Sequence, residues 1–404
     1  MADHQILIVG GGAAGIATAA SLHKRDGSLK ISIIEPADTH YYQPGWTMVG
    51  AGHFKKEETA RPMASVMPSF VNHIKKSVLS FQPADNTVTL GCGKVLSYDY
   101  LVVAAGLQLD WAAIEGLEDA LGKNGVTSNY RYDLAPYTWE LVQNMRGAEA
   151  IFTQPPMPIK CAGAPQKAMY LSCCSWTTAG RIKDINVSFC NAGPVLFGCA
   201  PYVPPLMKYV ESYGINLDFG YNLVKVDGPN QTATFKVTKE GEEPQIVERK
   251  FDMLHVCPPQ SAPDFIKDSP LADDAGWMAV DQETLQSTVA SNIFGLGDVT
   301  STPNAKTAAA ARKQAPIVAE NLMAQMKNAK LPRNYDGYGS CPLTVQHGKI
   351  ILAEFGYGGK LMPSFPWDST KPRRSAWVLK KSILPWVYWN AMLNGKEWLA
   401  KTTS

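Results

Sequence analysis

Two sets of residues in this chain have the types and spacing to do chemistry: glycines that open a phosphate site, and cysteines placed in Gly/Pro turns. Gly10, Gly12 and Gly15 form G-x-G-x-x-G directly after the apolar run Ile6 to Val9 and at the mouth of an Ala-rich helix pattern, Ala13 to Leu22. In such a loop the first glycine makes the tight turn, the second lets a pyrophosphate approach the backbone, and the third lets helix and strand pack closely. Ala13 and Ala14 open the helix, whose free N–H groups and positive potential suit phosphates. Glu35 follows the second apolar run, Ile31 to Ile34, where a ribose-binding carboxylate belongs.

The eight cysteines are Cys92, Cys161, Cys173, Cys174, Cys190, Cys199, Cys257 and Cys341. No C-x-x-C pair occurs, so no metal site is expected. Cys161 and Cys341 stand in Gly/Pro turns; the other six read as small apolar residues of the interior. The strand pattern Ala150 to Thr153 runs into Gln154-Pro155-Pro156-Met157-Pro158-Ile159-Lys160-Cys161, where a second glycine nest for a nicotinamide dinucleotide would stand. Proline removes the N–H donors such a nest needs. A thiol takes the place of a phosphate site, so electrons are not expected to come from NAD(P)H.

The elements that must position these residues follow the same logic. Tyr100 to Gly106 and Asn292 to Asp298 read as buried strands ending in small-residue turns. Between them, from about Trp111 to Gln282, lies a second α/β unit, with strands at 150–153 and 184–189, a helix over 166–175 and β-branched alternation over 222–256. An Ala-rich helix runs from about Thr307 to Asn328. The expected fold class is α/β, with two Rossmann-like domains and a C-terminal amphipathic membrane-surface segment. The divisions are 1–112 and 285–330 for the first domain, 113–284 for the second, and 331–404 for the C-terminal region. At 404 residues, 45% hydrophobic and 18% charged, the chain suits a folded multidomain protein. A net charge of +2 gives no reason to expect nucleic acid. No signal peptide and no bilayer-spanning apolar run is visible.

The set Gly10–Gly15, Ala104-Ala105-Gly106 and Gly295-Leu296-Gly297-Asp298 resembles the two-dinucleotide-binding-domain flavoproteins. That resemblance implies non-covalent FAD, with Ala105, Gly106 and Gly297 close to the cofactor and Asp298 on the flavin ribitol. Ile159 to Ser172 and Gly339-Ser340-Cys341-Pro342-Leu343-Thr344 resemble the sulfide:quinone oxidoreductases, in particular their mitochondrial branch. The resemblance implies that hydrogen sulfide is oxidised to sulfane sulfur through a Cys161–Cys341 pair, bridged directly or through an extra sulfur. It further implies that Cys341 takes the incoming sulfur and Cys161 faces the flavin ring. Gln43 then matches a position near the pyrophosphate, Val78 a strand residue whose backbone meets the adenine, and Lys306 a cation at the flavin pyrimidine edge. Gln166 and Lys167 stand where many bacterial members carry a glutamate, so that residue's role does not carry over. The stretch 125–130 also lacks the thiol that some members bond to flavin.

The electron acceptor implied is ubiquinone or menaquinone, and the sulfur acceptor is sulfite, glutathione, coenzyme A or cyanide. Trp377, Leu379, Ile383, Leu384, Trp386, Val387, Tyr388, Trp389 and Leu393 crowd one stretch among Arg373, Arg374, Lys380, Lys381 and Lys396. This pattern suits a helix pair in a membrane interface, broken by Pro385. Phe355, Tyr357, Trp377 and Tyr388 are the candidate quinone contacts. Peripheral attachment to a bacterial cytoplasmic or mitochondrial inner membrane is expected, and homo-oligomers are possible. The rival readings are an NADH:quinone oxidoreductase, a flavocytochrome-type sulfide dehydrogenase subunit and a non-enzymatic redox sensor.

Overall fold

The computed structural model describes residues 3–400. Strand β1 (His4–Val9) is apolar on both faces because both are covered. It leads through the glycine loop into α1 (Ala13–Arg25), and β2 (Ile31–Ile34) pairs parallel beside it. After a short helix α2 (Trp46–Val49) come β3 (Asn72–Ile74), the hairpin β4 (Val78–Gln82) and β5 (Thr87–Leu90), and β6 (Val95–Val103). The sheet order is β3-β2-β1-β6-β5-β4. Alternation along β1 divides two cores: Ile6 and Ile8 face α1, while Leu7 and Val9 face the β4–β5 hairpin. Residues 262–280 pack into the second of these cores through Ala262, Ile266, Leu271, Trp277 and Met278.

The second sheet is parallel throughout. It contains β7 (Val126–Thr127), β8 (Glu149–Gln154), β9 (Asn186–Asn191), β10 (Asn216–Phe219) and β11 (Met253–His255), in the order β7-β11-β8-β9-β10. Helix α3 (Ala135–Asn144) precedes β8, α4 (Ala164–Thr178) links β8 to β9, and α5 (Val203–Tyr213) follows β9. The β-branched stretch expected as hairpin strands forms a separate three-stranded antiparallel sheet within 221–250. The chain then returns to the first sheet: β12 (Ile293–Gly295) pairs parallel with β6, and α6 (Ala308–Met326) packs on α1.

The C-terminal region is an antiparallel hairpin, β13 (Gly339–Gln346) and β14 (Lys349–Phe355), followed by helical residues 374–390. Pro385 does not divide that helix as expected. Helix α7 (Arg374–Val378) passes through a π turn, Leu379–Ile383, into α8 (Leu384–Asn390). The Leu384 N–H reaches back five residues to the Leu379 carbonyl. This wider turn absorbs the donor that Pro385 lacks, and the helix continues. Tyr388, Trp389, Met392 and Leu393 anchor the segment in the core beside α1. Val378, Ile383 and Trp386 are left exposed. Among the described residues no helix is long and apolar enough to cross a membrane.

Candidate active site

A cavity of about 410 Å³ runs from the glycine loop to the turn carrying Cys161 and on to the C-terminal helix. Gly10, with φ of +106°, turns the chain so tightly that a Cβ there would overlap the Ala104 carbonyl, and a Cβ at Gly15 would overlap the Gly10 carbonyl. A Cβ at Gly12 meets nothing within 4 Å, because it points into the cavity. Only the middle glycine is therefore left open for a ligand, which is the shape a pyrophosphate requires. Glu35 accepts hydrogen bonds from Gly11 N (2.8 Å) and Ala37 N (2.8 Å), which hold its carboxylate on the cavity wall. These residues fit a dinucleotide such as FAD.

Ala13, Ala14, Ala105, Gly106, Gly297 and Asp298 also line the cavity. Lys306 is buried, 5% exposed; its ammonium donates to Thr300 O (2.7 Å) and lies 4.1 Å from the Trp277 ring centre. Burial, opposed by the Asp298 carboxylate, lowers the Lys306 pKa to about 8. Burial also pushes the Asp298 carboxyl up, against the pull of Lys306 and Lys160. Gln43 reaches the wall and accepts from Lys160 Nζ at 2.7 Å. Val78 lies outside the lining: its side chain packs in the core beneath the first sheet with Phe81, Leu90 and Leu101.

The prolines after β8 carry the chain to Cys161, which has φ of +48°, a conformation a non-glycine residue adopts only when held there. Its N–H donates to Lys306 O (2.9 Å), and its carbonyl accepts from Ala164 N as α4 begins. Cys341 arrives on β13, 180 residues later, and the two Sγ atoms stand 3.9 Å apart. Gly163 makes the approach possible, since a Cβ there would strike Leu343 and lie 3.7 Å from Cys341 Cβ. Cys161 lines the cavity; Cys341, on the opposite face of β13 from Ser340 and Pro342, lies behind it.

Two lysines that sequence reasoning did not assign to the chemistry set the charge here. Lys167, one turn into α4 and 3% exposed, donates from Nζ to Cys161 Sγ at 3.1 Å. Lys380, 2% exposed in the π turn, donates to Pro44 O at 2.8 Å. The hydrogen bond from Cys341, then the charge of Lys167, holds the Cys161 thiol well below the usual range. Cys341 is held well above it as the donor of that bond, and by burial. Burial lowers Lys380 to about 7, with Lys167 adding repulsion. Against burial, the two sulfurs hold the Lys167 ammonium above the usual lysine range. When the pair is open, these neighbours favour negative charge on Cys161 over Cys341.

Of the four aromatic residues expected around a quinone, only Tyr388 lines the cavity. It is tied to His40 Nε2 at 2.7 Å, and His40 Nδ1 contacts Gly11 O at 3.2 Å. Phe355 falls on the same face of β14 as Ala353 and packs edge-on to Phe197. Strand alternation instead turns Leu352 and Glu354 to the cavity. Tyr357 donates to Gln282 O and packs on Tyr335. Trp377 packs against His53 and His347. The apolar wall consists of Leu352, Phe365, Leu379, Leu384 and Val387. Cys92, expected inside, is exposed on the turn after β5; the five other cysteines outside the pair are buried. Trp46, Thr47 and Asn129 also line the cavity and were not singled out from sequence, because no local pattern marks them.

A family model described as pyridine nucleotide-disulphide oxidoreductase matches residues 4–148. The chain is 42% identical over 403 residues to the mitochondrial sulfide:quinone oxidoreductase of Dictyostelium discoideum, covering 99% of this chain and 88% of that protein. It is 39% identical over 392 residues to the mitochondrial sulfide:quinone oxidoreductase of Mus musculus, covering 97% and 87%. The X-ray structure of the sulfide:quinone oxidoreductase from the hyperthermophilic bacterium Aquifex aeolicus shares the fold. Its TM-score is 0.79 at 21% identity, covering 98% of this chain and 92% of that one.

Proposed function

The chain belongs to the sulfide:quinone oxidoreductases, and from that membership we propose that it oxidises hydrogen sulfide at the Cys161–Cys341 pair and delivers the electrons to a membrane quinone. The observation that carries the reading is the approach of the two sulfurs to 3.9 Å with the Lys167 ammonium 3.1 Å from Cys161. A bonded pair stands at about 2.0 Å, so a small closure, or one additional sulfur, bridges them.

With the bridge closed, HS⁻ attacks Cys341 Sγ and the Cys341–Cys161 bond breaks. The electron pair leaves on Cys161, where Lys167 neutralises the thiolate. A leaving thiol of lower pKa departs faster, so the charge asymmetry favours this direction of opening. Cys341 then carries a persulfide. Its outer sulfur passes to a small nucleophilic acceptor, such as sulfite, glutathione, coenzyme A or cyanide, and Cys341 is freed. Re-forming the bond between the two cysteines releases two electrons and the Cys341 proton. Bound FAD supplies the two-electron sink between the pair and the quinone. Gly10, Gly12, Gly15 and Glu35 hold its dinucleotide end, and Asp298 and Lys306 stand where the flavin end would lie. Leu352, Phe365, Leu379, Leu384 and Val387 offer the quinone an apolar berth. Exposed Val378, Ile383, Trp386 and Trp398 beside Arg373, Arg374 and Lys381 seat the enzyme on a membrane surface.

Anaerobic titration of the purified protein with sulfide, recorded as visible spectra, tests the reading. A charge-transfer band followed by flavin bleaching is expected, with the band absent in Cys161→Ser. A flavin that sulfide leaves oxidised, or that NADH bleaches directly, overturns it.

A further inference from the structure

Among the described residues Arg312 is the one guanidinium on the cavity wall. It stands one turn into α6, after Ala308 and Ala309, which line the cavity too. The residue is half-buried. Its one hydrogen bond of ordinary geometry among the described residues runs from Nε to Leu399 O at 3.4 Å, and no carboxylate among them forms an ion pair with it. The terminal nitrogens are not sealed in. Unlike the Trp46 indole or the Asn129 amide, they keep accessible surface. A guanidinium carries a permanent charge and a planar fork of donors, so open donors on a cavity wall offer a place to a ligand oxygen.

The groups that act on this guanidinium, against the burial that lowers its pKa, are Tyr338, Glu354 and Tyr42. Tyr338 Oη donates to Glu354 Oε1 at 2.6 Å. Ser364 donates to the same carboxylate from Oγ at 2.5 Å and from N at 3.0 Å. Three donors thus hold the Glu354 side chain in place. Glu354 lies two residues from Leu352 on one face of β14, and Leu352 belongs to the apolar berth. Arg312 and Glu354 therefore border one end of a largely apolar space, the layout of a site that orients a small apolar ligand by a few polar groups.

The charges discriminate between ligands. A pyrophosphate would bring its negative charge against the Glu354 carboxylate, and the glycine loop already offers it a place. A quinone is neutral on arrival, presents carbonyl oxygens to open N–H donors, and takes on negative charge only as electrons reach it.

We propose that Arg312 binds a quinone carbonyl oxygen in the berth and stabilises the charge that reduction puts on it. The proposal rests on the quinone reading above and adds a catalytic residue to it. Two electrons pass from the reduced flavin to the quinone, its two oxygens take two protons from water, and quinol leaves. Arg312 keeps its own protons throughout and acts through charge and hydrogen bonding alone.

Arg312→Met and the conservative Arg312→Lys test it on the full-length flavoprotein. The flavin is titrated to full reduction with dithionite, so the outcome does not depend on sulfide. It is then mixed anaerobically in stopped flow with a short-chain ubiquinone analogue or with ferricyanide, a one-electron oxidant that needs no berth. Reoxidation by the quinone should slow about 10- to 100-fold in Arg312→Met and recover in part in Arg312→Lys. The ferricyanide rate and the FAD content should stay within about twofold of the parent. A parental quinone rate in Arg312→Met overturns the proposal. So does equal slowing with both oxidants, the mark of a distorted flavin site, or loss of FAD, which would put the arginine on the pyrophosphate. A parent flavin that the quinone fails to reoxidise removes the acceptor reading itself, whereas a parental Arg312→Met removes only the role of the arginine.

Discussion

Replacing Lys167 by Met keeps the length of the side chain and removes its charge. The ammonium lies 3.1 Å from Cys161 Sγ in a site where the lysine is 3% exposed, so solvent does not screen the contact. A hydrogen bond to a charged partner contributes about 1.5–3 kcal/mol. The Cys161 thiolate is the group released when sulfide opens the bridge, so most of that stabilisation is present in the transition state. Its loss slows sulfide-driven flavin reduction on the order of 10- to 100-fold. Lys380 still faces the pair and limits the effect to this range. The sign of the pH effect follows: Lys167 depresses the Cys161 pKa, so removing it moves the acidic limb of the rate profile to higher pH. Anaerobic stopped-flow mixing with sulfide, followed at the flavin band, measures both, with chemical reduction by dithionite as the control for an intact cofactor. A rate within about twofold of the parent and an unmoved limb would refute the role given to Lys167.

Gly15→Ala places a methyl against the Gly10 carbonyl and should cost about 1–3 kcal/mol of stability and release FAD; a variant purified yellow with parental thermal stability counts against the loop packing described above. Burial holds His40, His53 and His255 near pKa 4, below the ordinary 6.5, so the unfolded chain binds more protons between those values. Stability should therefore fall as pH drops from about 6.5 to about 4, and a urea midpoint constant over that range contradicts the assignment. Ile383 and Trp386 are 46% and 48% exposed on the C-terminal helix. Changing both to Ser should weaken liposome binding by about tenfold or more, while parental co-sedimentation would place the membrane contact elsewhere.

The dinucleotide loop was legible in the sequence because its chemistry is local. Turn, phosphate approach and helix start fall within Gly10 to Gly15, and Glu35 follows one strand later. The identity of Cys161 and Cys341 was legible because each lies in a short Gly/Pro-containing segment that resembles a known family, although Cys341 stands on strand β13 and not in the expected turn. Their neighbours were not. In the sequence Lys167 only marks the loss of a bacterial glutamate and Lys380 is one of the basic residues around the membrane-interface segment; only the packing of α4, β13 and the π turn buries both against the sulfurs. Phe355 and Leu352 stand three residues apart on β14 and so point to opposite faces, and the pairing of β14 with β13 decided which face meets the cavity. Pro385 reads as a helix breaker, yet the π turn before it absorbs the missing donor. Contiguous residues thus determined the cofactor loop and the reactive atoms. The tertiary structure decided the charges and the apolar berth around them, because burial and strand alternation bring together side chains that share no local pattern.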